Sequence, residues 1–82
     1  MNHIKVLFFA TLRDYTGSRD LDLEIPFGTT IKELTERLLS EYPVLGKVKE
    51  SMIVAVNHAY IADDTVIPDN AEIAYFPPVS GG

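Results

Sequence analysis

One stretch, Thr30 to Pro43, carries a sustained helical pattern, and the rest of the chain reads in short strand-like runs. Ile31, Leu34, Leu38 and Tyr42 recur along one face, with Leu39 at its edge, while Lys32, Glu36, Arg37 and Glu41 occupy the polar side. Thr30 followed three residues later by Glu33 makes a capping box at the start, and Pro43 bars continuation. A chain of 82 residues with 46% hydrophobic content has room for one domain and one modest core. The helix therefore has to lay its apolar face on a sheet built from everything else, and it is assigned no chemistry.

Ile4 to Ala10 is rich in β-branched and aromatic residues and almost continuously apolar, as expected for a central strand covered on both faces. Asp14-Tyr15-Thr16-Gly17-Ser18 supplies turn chemistry. Leu21, Leu23 and Ile25 then alternate with Asp20, Asp22 and Glu24, the period of a half-buried strand whose acidic side faces water. These two segments should form a hairpin, with Pro26-Phe27-Gly28 ending the second strand. Beyond the helix, a loop carrying Gly46 leads to a buried strand at Met52 to Val56, a turn at Asn57-His58-Ala59 and a brief strand at Tyr60-Ile61. Asp63-Asp64 and Pro68-Asp69-Asn70 are turn clusters, and Glu72 to Phe76 forms the last strand. The order β-β-α-β-β-β describes an α+β domain in which the sheet wraps one face of one main helix.

The sequence has no cysteine, which removes disulfides, thiolate nucleophiles and Cys-based metal sites together. A net charge of -5 argues against nucleic acid as a partner, because that affinity comes from Lys and Arg on phosphate. The apolar run Val6 to Ala10 is too short for a signal sequence or a membrane span, so a soluble, cytoplasmic protein with no membrane partner is expected. His3 and His58 lie far apart with no nearby ligand spacing, so no metal site is expected. Gly46-Lys47 lacks the upstream glycine of a phosphate loop, and no serine sits in G-x-S-x-G. Asp63, Asp64 and Asp69 read as solvated or capping turn residues rather than paired catalytic carboxylates. The chain carries no self-contained active site.

Chemistry is instead expected at Tyr75-Phe76-Pro77-Pro78-Val79-Ser80-Gly81-Gly82. Two prolines that cannot donate to a ladder follow the aromatic pair, and two glycines follow them. The domain should span residues 1–76, with a flexible diglycine tail at 77–82. A carboxylate on Gly82 has no side chain beside it, so it can enter a narrow channel with its carbonyl carbon open to attack from either face. Extended from Pro77, the tail reaches roughly 20 Å at ~3.3 Å per residue, deep enough to enter another protein's active site.

With KVLFFATLR in the first strand, VAVN at Val54 to Asn57 and AYFPPVSGG at the end, the sequence resembles the small subunit of molybdopterin synthase. That family belongs to the β-grasp sulfur carriers, relatives in fold of ubiquitin and of the thiazole-pathway carrier. The resemblance covers essentially the whole chain, and F-P-P-V-S-G-G is its most specific part. It implies an ubiquitin-like β-grasp domain with a mixed sheet. It further implies that an ubiquitin-activating-type adenylyltransferase adenylates the Gly82 carboxylate with ATP, and that sulfur from a sulfurtransferase replaces AMP to leave a thiocarboxylate. No cofactor is bound by the chain itself. The tail then enters the large subunit, which supplies the catalytic surroundings, and the sulfur passes to cyclic pyranopterin monophosphate. Gly82 would be the reacting residue, with Gly81 beside it. Phe9, Arg13, Tyr60 and Phe76 would form the docking surface, continued by Pro77, Pro78, Val79 and Ser80. The family often has an aliphatic residue where Tyr60 stands. Two other classes remain open beside this one: a carrier of another pathway or an ubiquitin-like modifier, and a β-grasp binding module whose tail does nothing.

Overall fold

The computed structural model describes residues 1–77. Five strands form one sheet: β1 (Asn2–Phe8), β2 (Asp20–Ile25), β3 (Ile53–Val56), β4 (Ala59–Tyr60) and β5 (Glu72–Phe76), in the order β2-β1-β5-β3-β4. β1 runs antiparallel to β2 and parallel to β5, and β3 pairs antiparallel with both β5 and β4, so the sheet is mixed. Two helices join these strands, α1 (Thr11–Thr16) and α2 (Ile31–Glu41). With α2 as the main helix buried against one face of the sheet, this is the β-grasp arrangement.

The start of α2 is built as its sequence requires. Thr30 Oγ1 accepts from the Glu33 N–H at 3.3 Å, and Glu33 Oε1 accepts from the Thr30 N–H at 3.0 Å, closing the capping box. Two further first-turn donors, the N–H groups of Ile31 and Lys32, reach the carbonyls of Thr65 and Asp63 in the loop ahead of β5. Ile31, Leu34 and Leu38 are buried, and Leu39 and Tyr42 pack at the margin of the core. From the sheet, Ile4, Val6 and Phe8 of β1 and Ile73 and Tyr75 of β5 complete that core.

Three expectations change. β1 spans Asn2–Phe8 rather than residues 4–10, and only one of its faces is closed: Ile4, Val6 and Phe8 are buried, whereas His3 and Lys5 are exposed and Leu7 is half-buried. The β1–β2 connection is not a plain turn, because Thr11 to Thr16 form a short second α-helix that buries Leu12. Its end at Gly17 takes φ 71°, a left-handed conformation in which glycine meets no steric penalty, and the Gly17 N–H donates back to the Arg13 carbonyl. The segment after α2 is two 3₁₀ turns, Pro43–Lys47 and Lys49–Ser51, the first of which buries Leu45 in the core. No helix among the described residues is long and apolar enough to cross a membrane.

Asn2 occupies a core-facing position and is 3% exposed, with both the nitrogen and the oxygen of its amide bonded. Nδ2 donates to the Pro68 carbonyl at 3.0 Å and Oδ1 accepts from the Asn70 N–H at 2.8 Å, which fastens the loop before β5 to the start of β1. Tyr75 is buried as well, and its hydroxyl lies 2.7 Å from Thr35 Oγ1 on α2. Burial raises the Tyr75 hydroxyl well above its ordinary pKa of 10.0; the Thr35 hydrogen bond opposes that rise and the charge on Asp63 adds to it.

Two stability measurements follow from these contacts. Thr30→Ala removes the capping acceptor and is expected to lower the unfolding free energy by about 1 kcal/mol in urea titration. A Tyr75 pKa raised in the folded state means that the unfolded chain ionises first. The contribution is therefore complete below about pH 10 and lost as pH rises further, at up to about 1.4 kcal/mol per pH unit. Tyr75→Phe should lack this share of the alkaline slope, at the expense near neutral pH of the bond to Thr35, about 1 kcal/mol.

Candidate functional site

Because side chains alternate along a strand, the residues between the core positions of β1 and β5 all reach the sheet's outer face. The register sets them in rows. Asp20, Leu7, Ala74, Ala55 and Tyr60 lie side by side across the five strands, and Phe76 stands opposite Ile53 one row nearer the end of β5. In the other direction Lys5 lies between Asp22 and Glu72, and His3 opposite Glu24. The outer face is thus apolar at the end where β5 finishes and charged at the other.

Phe9, Arg13, Tyr60 and Phe76, four of the site residues expected from the sequence, come together at the apolar end. The Phe9 and Phe76 rings stack with centroids 4.6 Å apart and 11° between planes, and Tyr60 meets Phe76 edge-on at 6.5 Å. The Arg13 guanidinium lies 5.6 Å from the Phe9 centroid, while its Nε donates to the Phe8 carbonyl at 2.9 Å. An aromatic pair of this geometry is worth roughly 1 kcal/mol beyond the area it covers, and an exposed cation over a ring roughly 0.5–1 kcal/mol. Arg13 is accordingly a brace for Phe9 as well as a surface charge.

Short-range structure explains how Phe9 reaches this position. Its N–H donates to the Tyr75 carbonyl at 3.1 Å, one step beyond the last β1–β5 pair. Ala10 then turns the chain with φ 51° and ψ -129°, outside the regions favoured by residues with a Cβ, and α1 begins at once. That turn directs both Phe9 and Arg13 to the same edge. Between the rings, Ala55 and Ala74 floor a depression of about 210 Å³ rimmed by Leu7, His58 and Glu72. Tyr60 is 77% exposed, and Phe76 and Pro77 are half-buried. Lone exposed aromatics are ordinary, but a contiguous apolar patch ringed by polar groups is the mark of a binding surface.

Leu7, Ala55 and Ala74 also belong to this face, and sequence patterning does not point to them. The alanines carry no signal of their own, whereas Leu7 is hidden inside an apolar run that reads as core. Pro78, Val79, Ser80, Gly81 and Gly82, expected to continue the site, lie outside the described residues. On the opposite side of the sheet a depression of about 170 Å³ borders α2 and β3 near the Tyr75–Thr35 contact, and its lysines 32 and 49 are offset by Glu36, Glu50 and Asp63. His3 and His58, both well exposed, lie 3.8 Å from Asp22 and Glu72 respectively. Of the two depressions, the one at the aromatic end of the outer face has the more apolar lining.

Known proteins resemble the chain over nearly its full length. The molybdopterin synthase sulfur carrier subunit of Arabidopsis thaliana is 38% identical over 79 residues, covering 96% of this chain and 82% of that protein. Among solved structures, small archaeal modifier protein 1 from Methanosarcina acetivorans superposes with a TM-score of 0.82 at 29% identity, covering 100% of this chain and 98% of the other. The complex of subunits 1 and 2 of molybdopterin-converting factor from Helicobacter pylori contains a chain that matches with a TM-score of 0.69 at 25% identity, covering 98% of this chain and 99% of that one. The ThiS family model matches residues 6–82, from the first strand through the diglycine, and the chain belongs to that family.

Proposed function

We propose that the chain is the sulfur carrier subunit of a molybdopterin synthase and acts in the cytoplasm. The reading is carried by one conjunction: full-length likeness to a molybdopterin synthase sulfur carrier subunit, with a partly exposed aromatic cluster just ahead of a diglycine segment. The β-grasp domain, residues 1–76, docks through Phe9, Arg13, Tyr60 and Phe76 on the large subunit. Residues 77–82 deliver Gly82 to the reacting centre there. A relative in fold from Helicobacter pylori is found in complex with subunit 2 of its converting factor, which favours a large-subunit partner for this face.

The chemistry follows from the weakness of a carboxylate as an acyl donor. At neutral pH a terminal carboxyl with a pKa of roughly 3.5 is ionised, so neither of its oxygens can leave unaided. An adenylyltransferase with ATP as its substrate converts the Gly82 carboxylate to an acyl adenylate and releases pyrophosphate. Sulfur from a sulfurtransferase, delivered at the oxidation level of sulfide, then displaces AMP; the resulting thiocarboxylate sulfur attacks cyclic pyranopterin monophosphate, and water cleaves the acyl–sulfur bond to return the Gly82 carboxylate. Gly81 and Gly82 leave the carbonyl unobstructed throughout. A second reading, conjugation of Gly82 to lysine side chains of other proteins, draws on the likeness to small archaeal modifier protein 1. Amide-linked adducts seen by mass spectrometry, with no thiocarboxylate, would favour it instead.

Two experiments test the carrier reading. Phe76→Ala should weaken binding to the large subunit by ~2 kcal/mol, because a central aromatic anchors an interface more strongly than rim contacts. Normal binding by a folded variant would reduce Phe76 to a strand residue. Extending the chain by one residue beyond Gly82 moves the carboxylate by ~3.5 Å, and misplacement of even ~1 Å can cost a hundredfold when reacting atoms must align. Extension or deletion of Gly82 should therefore abolish molybdopterin formation from cyclic pyranopterin monophosphate, and Gly82→Ala should impair it less. Full activity from the extended protein, its mass verified, would refute the mechanism.

A further inference from the structure

In the Val54–Asn57 run, Val54 and Val56 are buried in the core and Ala55 floors the outer depression, while Asn57 makes a side-chain hydrogen bond to the neighbouring strand. Val56 pairs with Ile73 in the β3–β5 ladder, so Asn57 and Glu72 form the next rung. The Asn57 N–H donates to the Glu72 carbonyl at 2.9 Å, as a rung of the ladder requires. The reciprocal bond from the Glu72 N–H would ordinarily run to the backbone carbonyl of residue 57. It runs instead to the Asn57 side-chain oxygen, Oδ1, at 2.9 Å.

This exchange lets the backbone turn away one residue early while both backbone groups of Glu72 stay bonded. Asn57 and His58 take φ 49° and 72°, two successive left-handed residues, which is the signature of the tightest hairpin turn. Asn tolerates that conformation better than other residues bearing a Cβ. The chain returns as β4, whose two residues pair with Val56 and Ala55. So short a strand has little hold of its own, and the next bond, from the Ile61 N–H to the Val54 carbonyl, is long at 3.4 Å. Tyr60, although 77% exposed, is nevertheless set edge-on to Phe76.

We propose that Asn57 is a positioning residue for partner docking: by standing in for a backbone carbonyl on the last β3–β5 rung, it fixes the turn that holds Tyr60 against Phe76. The inference rests on the docking role assigned to that face under the proposed function. A ring already in place loses less freedom when a partner covers it than one ordered only on contact. Asn57 thus acts through Tyr60 and touches no partner itself.

Asn57→Gly keeps the left-handed turn accessible and removes the side chain with its acceptor, while Asn57→Asp restores an acceptor oxygen at the same place. In the free protein, Asn57→Gly should lose the nuclear Overhauser contacts between the Tyr60 and Phe76 rings and speed amide exchange at Glu72, and Asn57→Asp should recover both. Titrated calorimetrically with the large subunit of molybdopterin synthase, Asn57→Gly should bind about fivefold more weakly. In a Tyr60→Ala background the same change should cost nothing further, because its effect passes through that ring. Retained ring contacts with wild-type affinity, or an equal loss in both backgrounds, would overturn the proposal. Failure of the wild-type chain to associate with the large subunit would overturn the docking reading and the docking half of this one. The ring contacts in the free protein would then still decide whether Asn57 holds Tyr60.

Discussion

The burial of one face of β5, with Tyr75 at its end, is the constraint from which the outer face follows. A phenol taken out of water requires a partner, and Thr35 on α2 supplies it 2.7 Å away. With Ile73 buried beside it, Tyr75 sets which face of β5 looks toward the helix, and the bond to Thr35 satisfies the hydroxyl there. Alternation along the strand then leaves Phe76, the next residue, no choice but the outer face, and Ala74 goes with it. The same alternation therefore sets both what β5 gives to the core and what it leaves on the outer surface.

β5 can act in this way because it is the middle strand, bonded to β1 on one side and β3 on the other. Neither neighbour alone would hold the aromatic cluster. β1 leads to Phe9 and, through the strained Ala10 and α1, to Arg13. β3 leads through the Asn57–His58 turn to Tyr60. Three sequence-distant segments are brought to one edge by backbone pairing, and the two ring pairs add roughly 1 kcal/mol apiece to an arrangement the sheet has already imposed.

Much of this architecture is legible in the amino-acid sequence. The capping box at Thr30 and the period of Ile31, Leu34 and Leu38 specify α2, and the alternation of Leu21, Leu23 and Ile25 with acidic residues specifies β2, since both patterns report a single buried face. α1 is not legible: six residues barely exceed one turn, and Asp14 to Ser18 carry the composition of a turn. That β1 reads as covered on both faces has a more instructive cause. Leu7 and Phe9 lie on the outer surface, and a segment that is apolar on an open face reads like one covered by a second layer of core. The gathering of Phe9, Arg13, Tyr60 and Phe76 is accessible only through family resemblance, because their positions share no local period. Ala55 and Ala74, small enough to leave the depression open, give no signal at all.

The parallel pairing of β1 with β5 bears on how the molecule is made. These strands are adjacent in the sheet but lie at opposite ends of the sequence, so their contact closes a loop over most of the chain. Non-local pairing of this kind slows folding, because chain entropy is lost before the contact is gained. During synthesis the first strand can pair with β2, and α2 can form, long before residue 72 exists. Phe9 has nothing to stack on until then. The surface on which a partner would settle is consequently assembled last, and a chain that stops short or folds only in part presents no such surface to be recognised.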